Sequence, residues 1–207
     1  MITIIDYGMG NLKSVYNALR YLNIECEITN SKEKIEGAKK IILPGVGAFK
    51  DAIENLKVRD LDKLIIKKAE EGIPILGICL GMQLLFDKSY EGGEYEGLSL
   101  IKGEIRKLDN SALEEEKIKI PHIGWNNLRI KKVSPILKDI NENDFVYFVH
   151  SYYGVVKSKE DLIGDTIYGN NKIAAVVGNN NVFGTQFHPE KSGEVGLKIL
   201  KNFGEMI

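Results

Sequence analysis

Apolar positions recur with two different periods along this chain of 207 residues, and the change between them divides it into two halves. In the first half, short apolar runs alternate with stretches of helical spacing. Residues 2–6 read as a strand that passes through Gly8, Met9, Gly10 and Asn11 into a helix whose Leu12, Val15, Leu19 and Leu22 share one face. The same logic predicts strands over 24–28 and 40–43 and a helix over 61–71. An apolar run of Ile73, Ile75, Leu76 and Ile78, opened by Pro74, then turns into a helix over 81–86. Strands alternating with helices predict an α/β fold with a mostly parallel, doubly wound sheet flanked by helices.

After Gly97 the runs shorten to strand length, over 98–108, 125–130, 144–150, 173–177 and 182–187. They read as antiparallel β additions in the C-terminal half. Asn170 and Asn171 precede one of these runs and Asn179, Asn180 and Asn181 follow it, and asparagine accepts the positive φ that tight hairpins need. A last helix starts at Ser192 and runs to about Phe203, with Val195, Ile199, Leu200 and Phe203 inward. Glu114, Glu115 and Glu116 read as an exposed loop or turn. No repeat, linker or low-complexity stretch interrupts the pattern, so a single domain over 1–207 is expected.

Composition narrows the function without naming it. A net charge of −1 gives no electrostatic reason for nucleic acid or an anionic membrane as partner, and clusters such as Lys67 with Lys68 or Lys131 with Lys132 read as solvated surface. Two cysteines, Cys26 and Cys79, make no disulfide framework, which suits a reducing, cytoplasmic setting. The sequence shows neither a signal peptide nor a membrane span.

Candidate chemistry centres on Gly77-Ile78-Cys79-Leu80-Gly81, a cysteine between two glycines where a buried strand becomes a helix. This is a thiol version of the nucleophile elbow, whose glycines allow a tight turn that pushes the side chain into the open. Helix N-terminal N–H groups there favour a thiolate. An isolated cysteine is more often a core hydrophobe, and the glycine spacing reverses that expectation. A cysteine nucleophile needs a base, and His122, His150 and His188 all lie near strand ends. His188 is favoured, because His188-Pro189-Glu190 adds a carboxylate that an extended peptide would bring to the same side. Pro44-Gly45-Val46-Gly47, at the carboxyl end of a parallel strand, offers N–H groups that could join that of Leu80 in an oxyanion hole.

With these residues in view, the chain resembles the class I, or triad, glutamine amidotransferases. The resemblance rests on Gly77 to Gln83 (Gly-Ile-Cys-Leu-Gly-Met-Gln), followed about a hundred residues later by Phe187-His188-Pro189-Glu190. Within the family it is most similar to the branch that serves histidine biosynthesis, through the segments starting at Asp6, Leu43, Ile120, Phe148 and Gln186. It implies that Cys79 attacks the side-chain amide of L-glutamine, His188 moves protons and Glu190 holds His188. It also implies that Gly45, Val46 and Leu80 form the oxyanion region, and that Gly47, Gln83, Glu91, Ser151 and Tyr152 bind glutamine. No cofactor or metal is implied. The partner implied is a TIM-barrel cyclase subunit in a heterodimer, met by Asn11, Trp125, Asn126 and Lys191, with weak activity in its absence. Trp125, the only tryptophan, is equally suited to a core.

Two other readings remain at this stage. Gly8-x-Gly10 after the first strand hints at dinucleotide binding, but the third glycine of that fingerprint would fall on Lys13. A cysteine peptidase, or an amidotransferase of the anthranilate or GMP synthase type, would share the same elbow.

Overall fold

A computed structural model describes residues 1–110 and 118–206. The acidic run at 114–116 lies outside the described residues.

The first half builds a parallel sheet from β1 (Ile2–Ile5), β2 (Cys26–Thr29), β3 (Ile41–Gly45) and β4 (Ile75–Cys79). Its strands are joined through α1 (Leu12–Tyr21), α2 (Lys32–Glu36), α3 (Phe49–Val58) and α4 (Leu61–Glu70), and α5 (Leu80–Leu84) follows β4 directly. Side-chain alternation along the strands sorts the core into two layers. Ile41, Leu43 and Ile75 pack with Ile35, Phe49, Ile53, Leu56 and Ile65 of α2, α3 and α4. Ile42, Leu76 and Ile78 pack on the other face with Val15 and Leu19 of α1 and with Ile199, Leu200 and Phe203 of α6 (Gly193–Glu205). Two apolar faces on each strand, both covered by helix, are what a parallel sheet requires.

The second half contributes β5 (Phe86–Ser89), β6 (Tyr95–Glu96), β7 (Ile101–Lys107), β8 (His122–Asn127), β9 (Arg129–Ile130), β10 (Phe145–His150), β11 (Tyr152–Val156), β12 (Leu162–Tyr168), β13 (Asn171–Asn179) and β14 (Val182–Thr185). The main sheet runs β2-β1-β3-β4-β14-β13-β12-β9. A second sheet runs β11-β7-β5-β6, and β8 with β10 forms a separate antiparallel ribbon.

Three local expectations change. The helix expected over 81–86 stops at Leu84, because the chain leaves the elbow after little more than one turn and Phe86 starts β5. Within the run 182–187, β14 is antiparallel to β13 but parallel to β4, pairing Gly184 with Gly77 and Thr185 with Ile78. This pairing carries the residues after Thr185 to the carboxyl end of β4. In the hairpin before β13, Gly169 takes the positive φ, while Asn171 is a buried strand residue whose amide donates to the Asp109 and Tyr168 carbonyls. The turn after β13 does use an asparagine, Asn180 at φ 51°.

Candidate active site

The elbow exists because two strands and a helix meet with no room for side chains. A Cβ on Gly81 would stand 1.8 Å from the Leu43 carbonyl oxygen, and one on Gly45 would stand 2.5 Å from the Tyr7 hydroxyl and 2.9 Å from the Gly81 nitrogen. Backbone thus lies on backbone between β3 and α5. Cys79, the last residue of β4 and the N-cap of α5, has φ 54° and ψ −109°, a conformation that costs a non-glycine residue about 1–3 kcal/mol. The surrounding close packing imposes that strain, and it turns the thiol out of the sheet into a cavity of about 310 Å³.

The cavity is lined by Val46, Gly47, Cys79, Leu80, Gln83, Glu91, Pro121, Val149, His150, Ser151, Tyr152 and His188. It therefore brings together most residues expected from the sequence, and its size is that of a small-molecule site. Gly45 does not line it. It lies behind the wall, at the end of β3, where the Tyr7 hydroxyl donates to the neighbouring Pro44 carbonyl at 2.8 Å.

His188 reaches the cavity from the end of β14. Its Nδ1 lies 2.8 Å from Glu190 Oε1, and both side chains are buried. The route differs from the extended peptide expected: Pro189 opens a 3-10 turn over Pro189–Lys191, as the fixed φ of proline favours, and the turn folds the carboxylate back on the ring. Ser192 does not cap α6 with its side chain. Its hydroxyl donates to the His188 carbonyl at 2.7 Å and accepts from Tyr147 N–H at 2.9 Å, clamping this turn to β10.

Burial pulls the His188 pKa down, but the Cys79 and Glu190 side chains outweigh it through hydrogen bonding and charge and push it up to about 10. The contact with Cys79 is loose, since Nε2 meets no partner of normal hydrogen-bond geometry. Such spacing is usual before substrate arrives. An imidazolium here stabilises negative charge on the sulfur and supplies the acid that a departing amine needs. A folded-state pKa above the ordinary 6.5 or so contributes stability that is fully present below that pH and is lost as pH rises through about 10. Glu190→Gln removes one of the groups raising it. An NMR titration of the His188 ring should therefore show a midpoint well below that of the unmodified chain, and the alkaline loss of stability should shift down with it. An unchanged midpoint would show that the carboxylate does not hold the ring.

The opposite wall is polar and tightly bonded. Gln83, which the sequence alone could have left as an exposed helix residue, is buried, and its Nε2 donates to the Tyr152 carbonyl at 2.9 Å and to Gln186 Oε1 at 3.1 Å. Glu91 Oε2 accepts from Phe49 N–H at 2.8 Å, closing the first turn of α3. Sequence reasoning passed over Val149 and Gln186 at the thiol itself. The Val149 carbonyl and the Gln186 amide each approach Cys79 Sγ at sulfur hydrogen-bond distances, 3.9 and 3.8 Å. The position of Gln186, two residues before His188 at a strand end, was the available signal.

Residues expected at a partner surface are spread over adjoining elements. Trp125 is 55 % exposed and meets Tyr147 edge-on across the β8–β10 ribbon, so it is not core. Ile123 and Phe145 of the same ribbon are also exposed. The Asn126 amide donates to the Ile167 carbonyl at 2.9 Å, fastening the ribbon to β12. Lys191 sits in the turn Pro189–Lys191, which packs on both α6 and β10, and Asn11 precedes α1, which borders that turn. Among the described residues, no group of three or more His, Cys, Asp or Glu side chains is placed to hold a metal ion, and no helix is long and apolar enough to cross a membrane.

An elbow cysteine, a histidine–carboxylate pair and a doubly wound sheet with antiparallel additions define a class of acyl-transfer enzyme. The chain belongs to the class-I glutamine amidotransferase family, whose model matches residues 3–206. Solved structures share the fold: PurLQS from Thermotoga maritima aligns with a TM-score of 0.74 at 23 % identity, over 98 % of this chain and 96 % of that one. The crystal structure of a glutamine amidotransferase aligns with a TM-score of 0.72 at 18 % identity, over 99 % of this chain and 100 % of that one. The chain is 54 % identical to the imidazole glycerol phosphate synthase subunit HisH of Caldanaerobacter subterraneus subsp. tengcongensis, over 100 % of this chain and 98 % of that protein. It is 52 % identical to the subunit of the same name from Lactococcus lactis, over the same shares.

Proposed function

We propose that this chain is the glutaminase subunit of an imidazole glycerol phosphate synthase, working in histidine biosynthesis as a single amidotransferase unit in the cytoplasm. The observation that carries the reading is the meeting of Cys79 and His188 in one cavity, with Glu190 bonded to the far side of the His188 ring and Gln83, Glu91, Ser151 and Tyr152 on the cavity walls. Near-full-length identity to HisH subunits supports the particular branch.

In this reading the Cys79 sulfur attacks the side-chain amide carbon of L-glutamine. The developing oxyanion is met by backbone N–H groups of Leu80, at the start of α5, and of Val46, just after β3, both on the cavity wall, with Gly45 supporting Val46 from behind. His188 gives its proton to the leaving nitrogen, ammonia departs, and a γ-glutamyl thioester remains. His188, now neutral, takes a proton from water, whose oxygen attacks the thioester, and the thiolate and glutamate are released. Glu190 keeps the ring oriented through both steps. Gly47, Gln83, Ser151 and Tyr152 shape the wall for the amino-acid end of the substrate, and Glu91, with one oxygen on α3, has its other to offer an ammonium group.

Ammonia released into water would be protonated and lost, so a second active site must take it directly. The ribbon around Trp125, whose neighbour Asn126 ties it to β12 from the other face, together with the adjoining Asn11 and Lys191, is the surface proposed to meet the TIM-barrel cyclase subunit. Coexpression tests this. A stable heterodimer on gel filtration, with glutaminase turnover raised at least about tenfold by the cyclase and its substrate, is expected of a gated site. Rapid glutamine hydrolysis by the isolated chain, indifferent to the cyclase, would sink the reading.

A further inference from the structure

Two buried histidines take no part in the chemistry above, yet they stand directly opposite each other where the ribbon meets the cavity, His122 first in β8 and His150 last in β10. His122 Nδ1 lies 3.1 Å from His150 Nε2, His150 Nδ1 lies 3.0 Å from the Tyr152 carbonyl oxygen, and the Asn126 amide nitrogen lies 3.4 Å from His122 Nε2.

One arrangement of protons satisfies all three contacts. A carbonyl only accepts, so His150 carries its hydrogen on Nδ1 and accepts on Nε2. His122 must then donate from Nδ1, which leaves its Nε2 to accept from the Asn126 amide. Both rings are neutral in this arrangement, in keeping with burial, which pushes the His122 pKa down to about 4 and, with the neighbouring His122 and His188 charges, that of His150 down to about 3. The His122 ring is also held flat between Tyr168 and Phe148, with centroids 4.0 and 4.8 Å away and both pairs stacked.

The Tyr152 carbonyl that receives this chain also accepts from Gln83 Nε2. Gln83 donates in turn to Gln186, whose amide approaches the Cys79 sulfur. An unbroken series of polar contacts therefore runs from the ribbon to the nucleophile. We propose that His122 and His150 are positioning residues that fix the Tyr152 peptide, and with it the glutamine-binding wall, from the ribbon that faces the partner. This rests on the glutaminase reading above and adds to it a route by which docking at β8 reaches the substrate.

The test uses glutamine protection of Cys79 against iodoacetamide in the heterodimer with the cyclase. His122→Phe keeps the stacked ring and removes the donor, and should raise the glutamine concentration for half-protection at least about tenfold, as loss of one buried hydrogen bond does. His122→Asn, whose amide can stand where Nδ1 stood, should return it to within about threefold of the unmodified chain. A purely structural ring would give no such rescue. Half-protection unchanged in His122→Phe, or no better in Asn than in Phe, overturns the proposal. Nitrogen NMR of the unmodified chain needs no variant: both rings should hold hydrogen on Nδ1 between pH 6 and 9, and hydrogen on His150 Nε2 overturns it equally. Failure of glutamine to protect the unmodified heterodimer would instead remove the glutaminase reading, and this inference with it.

Discussion

Cys79→Ala, assayed with the cyclase present, is expected to lose glutamine-dependent synthesis by about 10⁴-fold or more while leaving synthesis from added ammonia within about twofold of the unmodified complex. Removing the sulfur removes the covalent route entirely, and the oxyanion donors alone have no nucleophile to serve. Cys79 is buried with its thiol at the cavity, and alanine relieves none of the packing that holds the elbow, so the surface proposed to meet the partner on β8 and β10 is untouched. The ratio of the two activities is therefore the informative quantity. Equal loss of both would mean that the substitution damages the complex rather than the glutaminase step, and would break the assignment of Cys79 as nucleophile.

The second large effect is structural. Gly81→Ala places a methyl group 1.8 Å from the Leu43 oxygen and 2.7 Å from its carbon, both backbone atoms of β3 that have no rotamer to escape into. Strand and helix must part, at a cost of about 3 kcal/mol or more. Gly37→Ala is the control: φ is −79° and the nearest atoms stand 3.8 Å away, so alanine fits and should stabilise by about 0.4–1 kcal/mol. Denaturant midpoints compare the two directly. A Gly81→Ala chain as stable as the parent would mean that the contact between β3 and α5 is not as close as the geometry requires.

These two sites show what the sequence could convey. Gly77, Cys79 and Gly81 were legible because tight backbone contact leaves one residue type at each glycine position, and a parallel strand buried on both faces reads as an unbroken apolar run. The pair His188 and Glu190 was legible for a similar reason, through short spacing around a proline. Pairing between distant strands is a different matter. Whether 182–185 lies beside 171–179 alone or also beside β4 depends on contacts a hundred residues apart, and its apolar residues suit either neighbour. The polar wall was harder still. Gln83 and Gln186 resemble ordinary polar residues until the fold buries them against each other. α3 carries no local start signal, because Ala48 offers no side-chain cap and the first N–H finds its partner, Glu91, 42 residues away. Residues such as Trp125 were undecidable from the chain, since an aromatic on a short strand suits a core or a docking face equally well.

Trp125 is the one indole in the chain, half in water on a strand two residues from exposed Ile123. Excited at wavelengths beyond tyrosine absorption, its emission therefore reports on the ribbon without background from the nine tyrosines in the rest of the chain. The protein carries its own optical gauge at the place where, in the reading above, a second subunit would shut out solvent.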